Sequence, residues 1–386
     1  MTLVAAVVVW ITTAIVLYVY LGYPVALWIL ARFRRRDVQK VDITPSVTLL
    51  ISAYNEARTI GKKLRNSLEL DYPEELLEVI VVSDASTDDT DRIVQTFAWR
   101  GIRLLCMPER RGKTVGLNAA VQAAQGEIVV FSDANILYQK DAIRYLVRNF
   151  ADATVGCVTG DSRYVDTEHS AAHIQEDAYW GYERQIRTLE SHVGSTVGGD
   201  GAIFAIRREL YTPLPPEAIN DLVTPLQIVT RGYRAVFEPA AIGYEPSAGN
   251  FPGEFRRKRR IVNRSWRGVM SVPGVLNPHQ AGLFAWQVWS HKVLRWLMLP
   301  LVVGAAAGCY VAFPLGLVYQ LGAWGFVGSL IVAGIGALVP DHSGRLAQLA
   351  HGMMYFYLVN LAAVLGIAMA ITGRVETLWT PERSTA

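Results

Sequence analysis

Charge is the first thing this sequence goes without. From Leu3 to Ala31 there is no charged residue at all, a run longer than the core of a signal peptide and longer than the roughly 20 residues needed to cross a bilayer. Arg32, Arg34, Arg35 and Arg36 follow at once. Positive charge after the run and none before it places the following segment in the cytoplasm, behind an uncleaved anchor. Cysteine is scarce as well. Cys106, Cys157 and Cys309 are the only three, far apart and without Cys-x-x-Cys or Cys/His spacing, which excludes a disulfide framework and a zinc module and fits a reducing compartment. Glycine-rich phosphate loops are missing too. Neither Gly-x-x-x-x-Gly-Lys-[Ser/Thr] nor Gly-x-Gly-x-x-Gly follows the first strand, which disfavours a P-loop enzyme or a dehydrogenase. There is no internal repeat, and with a formal net charge of +3 no nucleic-acid partner is expected.

What is present divides the chain. Three further apolar stretches, about Leu294–Phe313, Leu315–Val339 and Leu346–Thr372, are each long enough to cross,. Lys292, Arg295 and Arg345 at their near ends agree with a cytoplasmic central region. Four crossings would leave the tail from Gly373 on the opposite side, unless one stretch is re-entrant or lies along the interface. The resulting division is an anchor (1–36), a soluble domain (37–278), an interfacial helix (279–292), transmembrane helices (293–373) and a tail (374–386). Phe284, Trp286, Trp289 and His291 suit the interfacial helix to headgroup level,.

Within the soluble domain strands and helices alternate. Val47–Tyr54, Leu76–Val82, Ile102–Met107 and Glu127–Phe131 read as strands, and Ile60, Leu64 and Leu68 recur at helical spacing,. The order predicts an α/β fold with a mostly parallel sheet and right-handed crossovers. Polar residues fall where such sheets bind ligands. Asn55, Asp84 and Asp133 each come just after a different strand, so folding would gather them at one edge. In Ser132-Asp-Ala-Asn135 two side-chain oxygens on alternate residues can hold a hard divalent cation, which could neutralise a diphosphate.

Taken together, Ala53-Tyr-Asn-Glu56, Val82-Ser-Asp-Ala-Ser-Thr-Asp88, Gly112-Lys-Thr-Val-Gly-Leu-Asn118, Ser132-Asp-Ala-Asn135, Gly198-Gly-Asp-Gly201, Asn220-Asp221 and Arg256–Arg260 resemble the successive motifs of membrane-integrated family 2 glycosyltransferases. The resemblance implies a GT-A fold and inverting transfer of a sugar from a nucleoside diphosphate, expected to be UDP. It implies an acceptor that is a glycan or lipid-linked, and work at the cytoplasmic face of the cell membrane. Asn55 and Glu56 resemble the first donor-site motif, Asp84 the carboxylate that contacts the uracil ring, and Lys113 the lysine near the phosphates. Asp133 matches the first acid of Asp-x-Asp, a contact to ribose and metal. Asn135 stands in the second acid's place and brings no charge, so Mg²⁺ or Mn²⁺ is expected to bind less tightly.

Inversion needs a base opposite the leaving group, and Asp221 holds the position of that base. Gly199, Asp200 and Gly201 are assigned to the acceptor pocket. Processive synthases of the family carry Gln-x-x-Arg-Trp where this chain has Arg257, Arg260 and Ile261. The arginines can grip a leaving diphosphate, and Trp266 is the candidate to replace the missing acceptor platform. Single addition of a sugar is therefore favoured over processive synthesis with extrusion. A non-catalytic nucleotide-binding membrane protein is the reading from another class.

Overall fold

The computed structural model describes residues 1–165, 171–246, 251–339 and 344–375. One eight-stranded sheet carries the soluble domain, in the order β3-β2-β1-β4-β7-β6-β8-β5. The strands are β1 Val47–Ala53, β2 Leu77–Ser83, β3 Arg103–Cys106, β4 Ile128–Asp133, β5 Leu137–Tyr138, β6 Val155–Tyr164, β7 Ile203–Arg207 and β8 Arg234–Glu245. The first half is parallel throughout, β3-β2-β1-β4. Beyond β4 the sheet is mixed. β7 runs antiparallel between β4 and β6, β6 pairs parallel with β8, and β5 pairs antiparallel with β8.

The helices are α1 Thr2–Leu17, α2 Tyr23–Phe33, α3 Ile60–Leu68, α4 Thr90–Gln95, α5 Lys113–Ala123, α6 Ala142–Val147, α7 Ala171–Val193, α8 Asn220–Thr230, α9 Phe251–Ser271, α10 Pro278–Ala281, α11 Leu283–Val288, α12 Leu294–Trp296, α13 Met298–Val311, α14 Leu317–Gly336 and α15 Gly344–Ile371. A five-residue π-helical turn, Tyr18–Gly22, joins α1 to α2, and another, Trp289–Val293, joins α11 to α12.

Alternation along the strands sorts the core. Val47, Leu49 and Ile51 of β1, with Val79, Val81, Ile128 and Val130, pack on one face against Ile60, Leu64, Val94, Ile143 and Leu146. Leu50, Ile80, Val82, Val129 and Phe131 point the other way, onto Leu117, Ala120 and Ile228. Strands buried on both faces read as unbroken apolar runs, which is why β1, β2 and β4 stood out in the sequence. The same period carries Ser52 and Asp133, which are register partners, to the α5 side at the carboxyl ends of β1 and β4.

Among the described residues three helices are long and apolar enough to cross a membrane: Thr2–Phe33, Leu317–Gly336 and Leu346–Ile371. A fourth span exists if Leu283–Trp296 and Met298–Val311, bent by 64° at Leu297, count as one. The first C-terminal stretch is thus broken, and α13 alone, at 14 residues, reaches only about 21 Å. Half of the first helix belongs to the soluble domain's packing. Tyr23 and Leu27 are buried against Ile186 and Val193 of α7.

α15 lies alongside α9, from Tyr355 on Glu254, through Gly366 on Asn263, to Ala370 on Arg267. The amide of Asn263 also donates to the carbonyl of Arg374, 3.1 Å away. The chain at Arg374, where the expected tail begins, thus lies against α9. Beyond residue 375 the expected tail lies outside the described residues.

Candidate active site

At the carboxyl end of β1 the chain turns sharply. Asn55 adopts φ 54°, a conformation that asparagine tolerates better than most residues. Its side-chain oxygen accepts the backbone N–H of Thr87 at 2.7 Å, tying the first strand end to the second. Glu56 is buried, receives the Thr59 hydroxyl at 2.6 Å, and has its carboxyl pushed up by burial, with Asp133 and Asp88 adding repulsion.

Asp84 does something the resemblance did not imply. Its two carboxylate oxygens accept the backbone amides of Arg111 and Gly112, each at 2.8 Å. It thereby holds the loop that opens α5, whose first residue is Lys113. Arg110, in the same loop, lies 3.8 Å over the ring of Tyr54.

Lys113 joins the two sides of the site. Its ammonium donates to Asp133 Oδ1 at 2.5 Å and to the carbonyl of Gly201 at 3.2 Å, while Ser52 donates to the same Asp133 oxygen at 3.0 Å. Gly201 in turn abuts Asp221. A Cβ at Gly201 would stand 3.0 Å from Asp221 Oδ2, so a side chain there would displace the carboxylate. The Gly199 amide donates to the Asp221 carbonyl at 2.5 Å. Asp200 is buried and occupied by the Ser162 hydroxyl and the Ala202 amide.

Asp221 sits in the first turn of α8, after the cap residue Ile219. It is half-buried, and its Oδ1 is closed off from solvent with no hydrogen-bond partner. Burial pushes its carboxyl up, Lys113 pulls it down, and Asp200 adds to the rise. A carboxylate with an unoccupied oxygen and a raised pKa is suited to taking a proton.

The arginine run divides by helical period. Arg257, Arg260 and Arg264 share one face of α9, and the last of them fixes where that face points. Arg264, missed in the sequence, is buried and donates to Thr114 at 2.9 Å and to the Ala218 carbonyl at 2.5 Å. Arg257 is held by Glu254 at 2.7 Å and by the Tyr164 hydroxyl at 3.1 Å. Trp266 lies on another side of α9. It packs on Trp296, with ring centroids 6.2 Å apart, and on the cluster of Val262, Ala363 and Ile367. It is not brought to Asp221.

Among the described residues no three His, Cys, Asp or Glu side chains converge on a metal position. At the end of β4 the available oxygens are Asp133 Oδ2, since Oδ1 serves Lys113 and Ser52, and the Asn135 amide. Two protein oxygens fit an ion that completes its shell with phosphate and water, as Mg²⁺ does.

Residues 48–212 match the family model described as "Glycosyl transferase family 2". This stretch of the chain resembles that family. The match covers Asn55, Glu56, Asp84, Lys113, Asp133 and Asn135 and ends before Asp221 and the arginines of α9. Among the relatives of this chain is a poly-beta-1,6-N-acetyl-D-glucosamine synthase of Staphylococcus aureus, 27% identical over 208 residues, 52% of this chain and 50% of that one. Another, from Staphylococcus epidermidis, is 29% identical over 162 residues, 41% and 39% of the two chains. The chain thus spans about half the length of the curated relatives it matches. A solved mannosyltransferase from Pyrobaculum calidifontis, in complex with GDP-Man and Mn²⁺, is 28% identical with a TM-score of 0.67, covering 92% of this chain and 99% of its own.

Proposed function

We propose that this protein is an inverting glycosyltransferase that moves a sugar from a nucleoside diphosphate, a UDP-sugar, to a glycan or lipid-linked acceptor at the membrane. The catalytic domain lies on the cytoplasmic side. The observation that carries the proposal is Lys113, whose one ammonium touches the donor-side Asp133 and the loop that packs on Asp221. Donor diphosphate and acceptor hydroxyl would meet across that contact.

In this reading the diphosphate lies at the N-terminus of α5, where Lys113 and the helix's first amides favour an anion. Asp133 and Asn135 would hold a divalent cation there, and the cation would supply charge neutralisation for the departing diphosphate. Arg260 and Arg264 extend positive charge along the same side. Asp221 takes the acceptor proton as the hydroxyl attacks the anomeric carbon, and the bond to the diphosphate breaks on the opposite face. The test is a screen of UDP-GlcNAc, UDP-glucose and GDP-Man for protein-dependent nucleotide release, with and without Mn²⁺ or Mg²⁺. Release that requires Asp221 supports the proposal. Nucleotide binding without turnover would make the chain a non-catalytic binder.

A second reading is processive synthesis, supported by the similarity to the staphylococcal poly-beta-1,6-N-acetyl-D-glucosamine synthases. Single addition remains the reading offered here, because Ile261 stands where the processive motif has tryptophan and Trp266 packs against Trp296. Product sizing decides: polymer from one donor and the purified protein would establish the second reading.

A further inference from the structure

Behind the loop that carries Gly198–Gly201 lies a buried charge cluster used by none of the steps above. Glu183 and Glu190 project from α7, and both are buried. Between them sits His291, with Nε2 2.7 Å from Glu183 Oε1 and Nδ1 2.7 Å from Glu190 Oε1. Each ring nitrogen therefore faces a carboxylate oxygen of a different glutamate. Arg295 donates to the other oxygen of Glu183 at 2.8 Å, and the Lys292 ammonium is 3.6 Å from the first. Burial works against ionisation of the two carboxyls, and the cations around them hold both below the usual range.

Glu190 stands out because its partners come from separate parts of the molecule. Oε1 also accepts the hydroxyl of Tyr23, on the first helix, at 2.5 Å. Oε2 accepts the Thr196 hydroxyl at 3.1 Å and the Val197 amide at 3.0 Å. Val197 immediately precedes Gly198, which turns the chain with φ +86°, and Gly199 then bonds to the backbone of Asp221. One carboxylate therefore links the first helix, the helix of His291 and the strand of chain that ends at the base.

We propose that Glu190 is a positioning residue for acceptor transfer, holding Thr196–Val197, and through them Gly198–Gly201 and Asp221, in register with the membrane-side helices. The chemistry favours a fixed register. Removing one member of a buried, hydrogen-bonded charge group leaves the others uncompensated, so the cluster tolerates no partial opening. An acceptor arriving from the membrane side would meet a loop fastened to the helices it has just passed. The inference rests on the transferase reading above and adds to it the means by which the acceptor side is set.

The experiment uses the full chain in nanodiscs, with Glu190→Gln, Tyr23→Phe and the double variant. UDP-GlcNAc and GDP-Man serve as donors, and polyprenyl phosphate and a short N-acetylglucosamine oligosaccharide as acceptors. Three quantities are read: donor Kd, transfer rate, and amide hydrogen exchange at 196–201. Glu190→Gln is expected to lower transfer by about tenfold to a hundredfold, leave donor Kd unchanged, and speed exchange at Val197–Gly201. Tyr23→Phe should give the same pattern more weakly, with no added effect in the Glu190→Gln background. Parallel loss of donor affinity and transfer would overturn the proposal, as would unchanged exchange at 196–201 in a folded variant. Where Glu190→Gln fails to fold, Tyr23→Phe decides alone, since it leaves every charge in place. If the wild type turns over neither donor, the transferase reading fails, and the exchange data still decide whether Glu190 holds the loop.

Discussion

Replacing Asp221 by asparagine separates catalysis from stability in opposite directions. The amide keeps the shape of the side chain and removes its ability to take a proton. No neighbouring carboxylate is placed to substitute, because Asp133 is engaged by Lys113 and Ser52 and Asp200 by Ser162 and Ala202. The loss should therefore be that of a whole general base, about 10² to 10⁴ in rate, or roughly 3–5 kcal/mol of barrier. Stability should move the other way. Burial raises the folded-state pKa of Asp221, so keeping it ionised costs the folded state above the ordinary carboxylate range. Asp221→Asn removes that cost, and Tm should rise at pH 7, with the gain disappearing as the medium is acidified through the carboxylate range. The assay is nucleotide release under saturating donor, paired with thermal unfolding across pH. A variant that keeps a tenth or more of the wild-type rate would refute the assignment of the base, and a lower Tm at pH 7 would refute the account of its surroundings.

Other expectations follow from individual contacts. Gly201→Ala places a methyl 3.0 Å from Asp221 Oδ2, and transfer should fall about tenfold through displacement of the base, with donor affinity unchanged in a titration. Asn135→Asp adds a charged oxygen beside Asp133, and the Mn²⁺ concentration for half-maximal rate should fall about tenfold. Lys63 is fully buried with its ammonium unbonded, 3.8 Å over the Tyr138 ring, and burial pushes its pKa down to about 7. Because the unfolded chain binds that proton and the folded chain does not, wild-type stability should rise between pH 7 and 10.5,. Lys63→Met should flatten that rise and increase Tm at neutral pH.

Strands β1, β2 and β4 were legible because each is apolar on both faces and ends at a polar turn. β1 Val47–Ala53 and β4 Ile128–Asp133 lie within a residue or two of where the apolar runs place them. Strands β6 and β8 carry charges, such as Asp161 and Glu238, whose partners are distant in sequence, including Arg184 and Lys40, so no local pattern marks them. Asp133, Lys113 and Asp221 were visible as motif residues, but only folding reveals that one lysine joins them. Asp84 was legible as a candidate contact to the uracil ring, and only the fold shows that its oxygens also hold the loop amides of Arg111 and Gly112. His291, among tryptophans, read as a headgroup residue. Its carboxylate partners lie about a hundred positions earlier, and no spacing rule reaches that far. Lys63 and Arg264 were not singled out in the sequence for the same reason: their burial is decided by elements they do not adjoin in the chain.

The pairing of α15 with α9 bears on how the protein is made. A ribosome completes the sheet, Asp221 and the arginine face of α9 well before it reaches α15, the helix that lies along α9 from Tyr355 to Arg374. Until then the side of α9 bearing Asn263 and Arg267 has no cover. A nascent chain that has not yet reached α15 would therefore carry α9 without the helix whose carbonyls hold Asn263 and Arg267.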